Sequence, residues 1–89
     1  MARRVAIGTS PVQIVPHNSK RSALSISNPD ALAIMYLDRY FDVTTSEGDP
    51  LHPKVSIIYN RDNGDNPTIA RYGVSDTAGK NVRVSEEFQ

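Results

Sequence analysis

The stretch A-L-A-I-M-Y-L-D-R-Y-F, residues 31–41, decides the fold class of this chain. Read as a helix, it sets Leu32, Ala33, Tyr36 and Tyr40 on one face and makes the protein a mixture of helix and sheet. Read as a strand, it sets Ile34 and Tyr36 on one side and Met35 and Leu37 on the other, and nothing helical remains. The run is short, turn residues bound it, and the segments before and after it have a period of two. Short apolar runs of this kind suit a strand buried on both faces better than a helix.

Outward from this stretch the alternation continues. In R-S-A-L-S-I-S, Leu24 and Ile26 alternate with Ser25 and Ser27, the pattern of a half-buried strand. Val5 and Ile7 alternate near the start, and Val12 and Ile14 alternate with Gln13 and Val15. The segment K-V-S-I-I-Y, then T-I-A-R-Y-G-V-S, then N-V-R-V-S-E complete the set, the last with Val82 and Val84 inward and Arg83 outward. Pro29, in N-P-D, disfavours helix at the residue before it. D-T-A-G-K reads as a hairpin turn with Gly79 in the left-handed region. T-T-S-E-G-D-P-L-H-P reads as a strand connection, in which Pro50 and Pro53 must lie at a sheet edge or outside the ladder. About seven or eight short strands with frequent turn signals predict a single all-β domain over residues 1–89, an antiparallel β-sandwich that is jelly-roll-like. A short arm at 1–4 and a tail at 86–89 are candidate docking segments.

Composition narrows the function. Ten basic and ten acidic residues cancel, so no basic stripe for nucleic acid is expected. The chain has no cysteine, which removes disulfides, thiol catalysis and the usual zinc sites. The longest apolar run, residues 31–37, falls far short of the ~18 apolar residues of a membrane-spanning helix. The start M-A-R-R-V-A-I-G-T-S lacks the apolar core of a secretory signal. At 89 residues, roughly 64% of the unfolded surface can be buried, enough for one modest core.

Catalytic patterns are missing. His17 and His52 each sit beside a proline in a turn, and neither has metal ligands at a usable spacing. The segment 61–66 is rich in Asp and Asn but lacks the glutamate and glycine placement of a calcium loop, so it reads as a turn. The nine serines include no G-x-S-x-G elbow. The expectation is no enzyme, no cofactor and no metal. Interface residue types remain. Arg39, Tyr40 and Phe41 follow one strand, Arg71 and Tyr72 open another, and Arg3, Arg4 and Phe88 lie near the ends. Exposed aromatic and arginine side chains are the types that dominate protein interfaces, and these eight are the candidate contact residues.

The order of segments resembles a known group. V-A-I-G-T-S-P-V-Q-I-V-P-H-N, R-S-A-L-S-I-S-N-P, V-T-T-S-E-G-D-P-L and N-V-R-V-S-E-E, in that order from Val5 to Glu87, resemble small virion proteins of tailed bacteriophages. The chain departs from that pattern at Arg39-Tyr40-Phe41 and in the longer, more acidic loop at 61–67. The resemblance implies a non-enzymatic structural protein of the virion, assembled in the host cytoplasm. Its specific form would be a capsid decoration or cement protein, a homo-oligomer with threefold symmetry bound to the major capsid protein. It equally allows a tail or fibre-attachment module. A small carbohydrate-binding domain for host attachment is a further alternative, resting on an exposed aromatic platform.

Overall fold

The computed structural model describes residues 2–60 and 66–88. They form eight strands: β1 (Ala2–Ile7), β2 (Val12–Val15), β3 (Arg21–Ser27), β4 (Met35–Asp38), β5 (Asp49–Leu51), β6 (Ser56–Asn60), β7 (Arg71–Ser75) and β8 (Lys80–Phe88). One four-stranded sheet has the order β1-β8-β3-β6 and the other β2-β7-β4-β5. Every pairing is antiparallel. The pairs nest: β1 with β8, β2 with β7, β3 with β6, and β4 with β5. The chain thus behaves as one long hairpin, folded at residues 39–48 and rolled into two sheets, which is the jelly-roll arrangement.

The core lies between the sheets. Leu24, Ile26, Val82 and Val84 project from the first sheet; Ile14, Val15, Met35, Leu37 and Leu51 project from the second; Ile7 joins them. Strand β8 shows the period of two most plainly, with Val82, Val84 and Glu86 buried between exposed neighbours. Pro50 lies in β5, at the edge of its sheet, where no ladder bond is lost. Gly79 has φ 73°, so the turn between β7 and β8 uses the freedom that only glycine offers at low cost.

Three local departures from simple alternation have identifiable causes. First, the 31–41 stretch is a strand only over Met35–Asp38, and it is buried on one face rather than two. Residues 31–34 belong to a loop held by side chains. The Asp30 carboxylate accepts the backbone N–H groups of Leu32 (2.9 Å) and Ala33 (2.7 Å). The buried Asn28 amide donates to the Ala33 and Leu51 carbonyls at 2.8 and 2.9 Å. These side chains satisfy backbone groups that a sheet ladder would otherwise use, and Leu32 is left 86% exposed. Second, a register shift between Gln13 and Val15 turns both Ile14 and Val15 inward, where strict alternation would expose Val15. Third, a register shift between Arg21 and Ala23 turns Arg21 into the interior ahead of Leu24.

Gly73 is required by close packing. A Cβ there would stand 2.6 Å from Ile14 Cδ1, 3.0 Å from Ile7 Cδ1 and 3.2 Å from Leu37 Cδ2. These methyl groups crowd the site from three strands, so relief of one contact presses on another. Gly73→Ala should therefore overpack the core and cost about 1–3 kcal/mol. Urea unfolding of the two proteins measures it, and equal midpoints would show that the sheets separate freely at this point.

Candidate functional site

Antiparallel geometry brings one set of connections to one end of the sandwich. The 16–20, 39–48 and 61–70 connections, the start of β1 and the end of β8 share that end; the 8–11, 28–34, 52–55 and 76–79 connections share the other. All eight candidate contact residues from the sequence fall at or near the first end. They do not form one patch.

Four of them belong to the outer face of the second sheet. Arg71 and Gly73 point inward, so Tyr72 points outward, and its register partners Gln13 and Asp38 flank it on that face. The Asp38 carboxylate accepts the Arg39 N–H at 2.6 Å and turns the chain out of β4. The 39–48 connection then folds back on the same face. Val43 is buried, and Gly48 lies so close to Tyr36 Cβ and Val43 Cγ2 that a Cβ would be 2.7 Å from each. A backbone turn closes the segment, with Gly48 N–H donating to the Thr44 carbonyl at 3.0 Å. Held this way, Tyr40 and Phe41 are each 62% exposed. Phe41 meets Tyr72 edge to face, with ring centroids 5.5 Å apart and planes at 83°, the geometry favoured by aromatic quadrupoles. The Tyr72 hydroxyl lies 3.5 Å from Gln13 Nε2, and Arg39 is exposed beside Tyr40.

Arg71 is not on this surface. It turns inward because it alternates with Tyr72, and its guanidinium lies 4.0 Å over the Tyr59 ring. Its Nη2 reaches the Asn66 carbonyl at 3.4 Å, and its Nε meets no hydrogen-bond acceptor among the described residues.

Arg3, Arg4 and Phe88 belong to the first sheet. The expected arm and tail are instead the start of β1 and the end of β8, paired from Ala2 opposite Ser85 to Ile7 opposite Lys80. Arg4 is exposed opposite Arg83. Phe88 is 48% exposed next to Arg21 in register. Arg3 is bound in an ion pair with Glu86. Glu86 in turn accepts the Nε–H of Arg21 at 3.1 Å, while Arg21 donates to the carbonyls of Pro67 (3.0 Å) and Pro16 (2.8 Å). Arg21 is fully buried. It reads in sequence as half of a basic surface pair with Lys20, and only the register shift beside it reveals that it is interior.

Two carboxyls have altered acidity. Burial pushes Glu86 up, but hydrogen bonds and charge from Arg3 and Arg21 outweigh that and hold it below its usual 4.5. The backbone N–H groups of Ala33 and Leu32, followed by Lys80, hold Asp30 at about 2 instead of 3.8. Lys80 Nζ lies 3.0 Å from Asp30 Oδ1.

His17 and His52 are exposed at opposite ends of the sandwich. Among the described residues no three His, Asp or Glu side chains come together to hold a metal ion. Most of the Asp- and Asn-rich segment 61–66, considered above for calcium, lies outside the described residues. Among the described residues no helix is long and apolar enough to cross a membrane. Comparison with known protein families, curated proteins and solved structures finds no match. The surface is therefore judged on its own geometry: an aromatic pair with an arginine and an amide beside it, set on a sheet that cannot easily yield.

The acid response follows from the two carboxyls. Both have a lower pKa folded than unfolded, so the unfolded chain binds more protons in acid. Their stabilisation is complete above about pH 4.5 and is lost as pH falls from there to about 2. Glu86→Ala should cost about 3–5 kcal/mol at pH 7, because Arg21 stays buried without its carboxylate, and should flatten the fall in stability between pH 5 and 3. Urea midpoints across that range check both; an unchanged slope would remove Glu86 from the account.

Proposed function

We propose that this chain is a non-enzymatic structural subunit of a phage virion, in its specific form a decoration protein that binds the assembled head and stabilises it. The observation that carries this reading is the exposed set Tyr40, Phe41, Tyr72 and Arg39, held in place by a folded-back loop on the outer face of the second sheet. A flat sheet with preordered aromatic anchors loses little conformational freedom on binding, which is how a small module gains affinity for a protein surface. The resemblance of the strand order to small virion proteins supplies the partner class, the major capsid protein. A subunit that binds the completed shell and not its separate parts stabilises the shell by mass action.

The perpendicular rings of Phe41 and Tyr72 favour a protein partner over a sugar. Sugars stack best on open ring faces, and these two rings give no continuous flat platform.

Copy number in purified virions tests the assignment. About one copy per capsid subunit supports decoration of the head; a few copies per particle would move the protein to the tail or a fibre, and absence from particles would end the structural reading. Within the first outcome, Tyr40→Ala and Phe41→Ala together should weaken particle binding at least about tenfold, since anchors of this type carry about 2 kcal/mol or more each. The melting temperature should stay within about 2 °C, because both side chains are mainly exposed. Undiminished particle binding would remove this face from the interface. A glycan array run with the same pair would expose a sugar-binding role.

A further inference from the structure

Two sheets in this sandwich leave four edge strands: β1 and β6 in the first, β2 and β5 in the second. An exposed edge offers unpaired backbone groups to any other strand, and proteins normally block it with charge, proline, irregularity or shortness. Three of the four edges are blocked. Strand β1 carries Arg3 and Arg4. Strand β2 has a register shift and lies between Pro11 and Pro16. Strand β5 has three residues, one of them Pro50. Strand β6, Ser56–Asn60, has none of these: it is S-I-I-Y-N, with regular pairing to β3 over all five residues.

The direction of its backbone groups can be read. Asn28 N–H donates to the Val55 carbonyl at 3.0 Å, continuing the β3–β6 ladder by one residue. Polar groups alternate sides along a strand. Those of Ile57 therefore turn toward β3, and those of Ile58 turn away from it, to the open edge. The Ile58 side chain stands on the outer face and is 62% exposed. Around it the face is built of small side chains, Ala23, Ser25 and Ser85, which leave a shallow depression of about 210 Å³ bordered by Ile58.

We infer that β6 is a self-association edge, pairing antiparallel with β6 of a second copy about a twofold axis through Ile58. The sequence of the strand favours a copy of itself. In this register Ile58 meets its own copy and the two exchange N–H···O=C bonds. Ile57 meets the copy's Tyr59 on the inner face, apolar against apolar. Ser56 meets the copy's Asn60 on the outer face, polar against polar. A twofold axis sets each charge near its own copy, so a charged strand would repel itself, and β6 has no ionisable group except the Tyr59 phenol. The product is one continuous eight-stranded sheet from two four-stranded sheets. Pairing of five residues buries less than the ~1,200 Å² of a standard interface, so the dimer is weak, with a dissociation constant on the order of micromolar or above.

The arrangement is twofold, unlike the threefold oligomer expected from the family resemblance. It does not depend on shell binding, and it is tested without particles. The chain has no cysteine, so Ile58→Cys introduces a single thiol. Facing residues of a bonded antiparallel pair have Cα atoms about 5.5 Å apart, within disulfide range. Ser85→Cys, exposed on the central strand β8 of the same face, is the control. Under mild oxidation Ile58→Cys should form dimer at least about tenfold faster than Ser85→Cys. In sedimentation equilibrium the wild type should show a concentration-dependent dimer, and Ile58→Lys should shift its midpoint at least about tenfold higher while melting as the wild type does. Equal crosslinking rates, a wild type monomeric at millimolar concentration, or an Ile58→Lys dimer of undiminished strength would each overturn the proposal.

Discussion

A fully buried guanidinium sets the terms for one end of this protein. Arg21 cannot be dehydrated without acceptors around it, because a buried charge that lacks partners costs several kcal/mol. It finds them in elements that are distant in sequence: Glu86 near the end of β8, the Pro67 carbonyl before β7 and the Pro16 carbonyl after β2. Glu86 brings in Arg3 from β1. One side chain thus fixes the entry of β3, the exit of β8, the start of β1 and two connections between the sheets. Its contribution is specificity of arrangement as much as energy, since these acceptors come together only when the nested pairing is correct.

Asn28 plays the matching part at the opposite end. Its amide joins the 28–34 loop to β5 through the Leu51 carbonyl, and its backbone joins the same loop to the 52–55 connection. Apolar packing fills the space between, but apolar side chains alone would tolerate a slipped register. Two buried polar side chains, one at each end, penalise a slip because it would leave their hydrogen bonds unmade.

The sheet fold was readable wherever alternation was strict. Leu24 and Ile26, Val82 and Val84, and the left-handed Gly79 turn are all placed as their pattern dictates. Legibility ended where a residue's role depends on something distant. The inward turn of Arg21 and of Val15 follows from register shifts against partner strands. The loop at 31–34 looked like strand because its hydrophobicity is real, while the Asp30 and Asn28 side chains that claim its backbone give no periodic signal. For the contact surface, Tyr40 and Phe41 could be picked out by residue type. Arg71 could not be separated from Tyr72 until the inner and outer faces of β7 were known, and the bare edge of β6 has meaning only once the other three edges are seen to be blocked.

The turn between β7 and β8 has a practical consequence. Thr77 and Ala78 are exposed, Gly79 supplies the reversal, and the anchoring bonds on the β7 side stop at Asp76 and the Thr77 amide. The turn lies at the end of the sandwich away from Tyr40 and Phe41. A guest peptide spliced between Thr77 and Ala78 would leave the sheet ladders intact and would be carried on the side opposite the aromatic anchors, so that the molecule could serve as a small carrier whose cargo and attachment point do not compete for space.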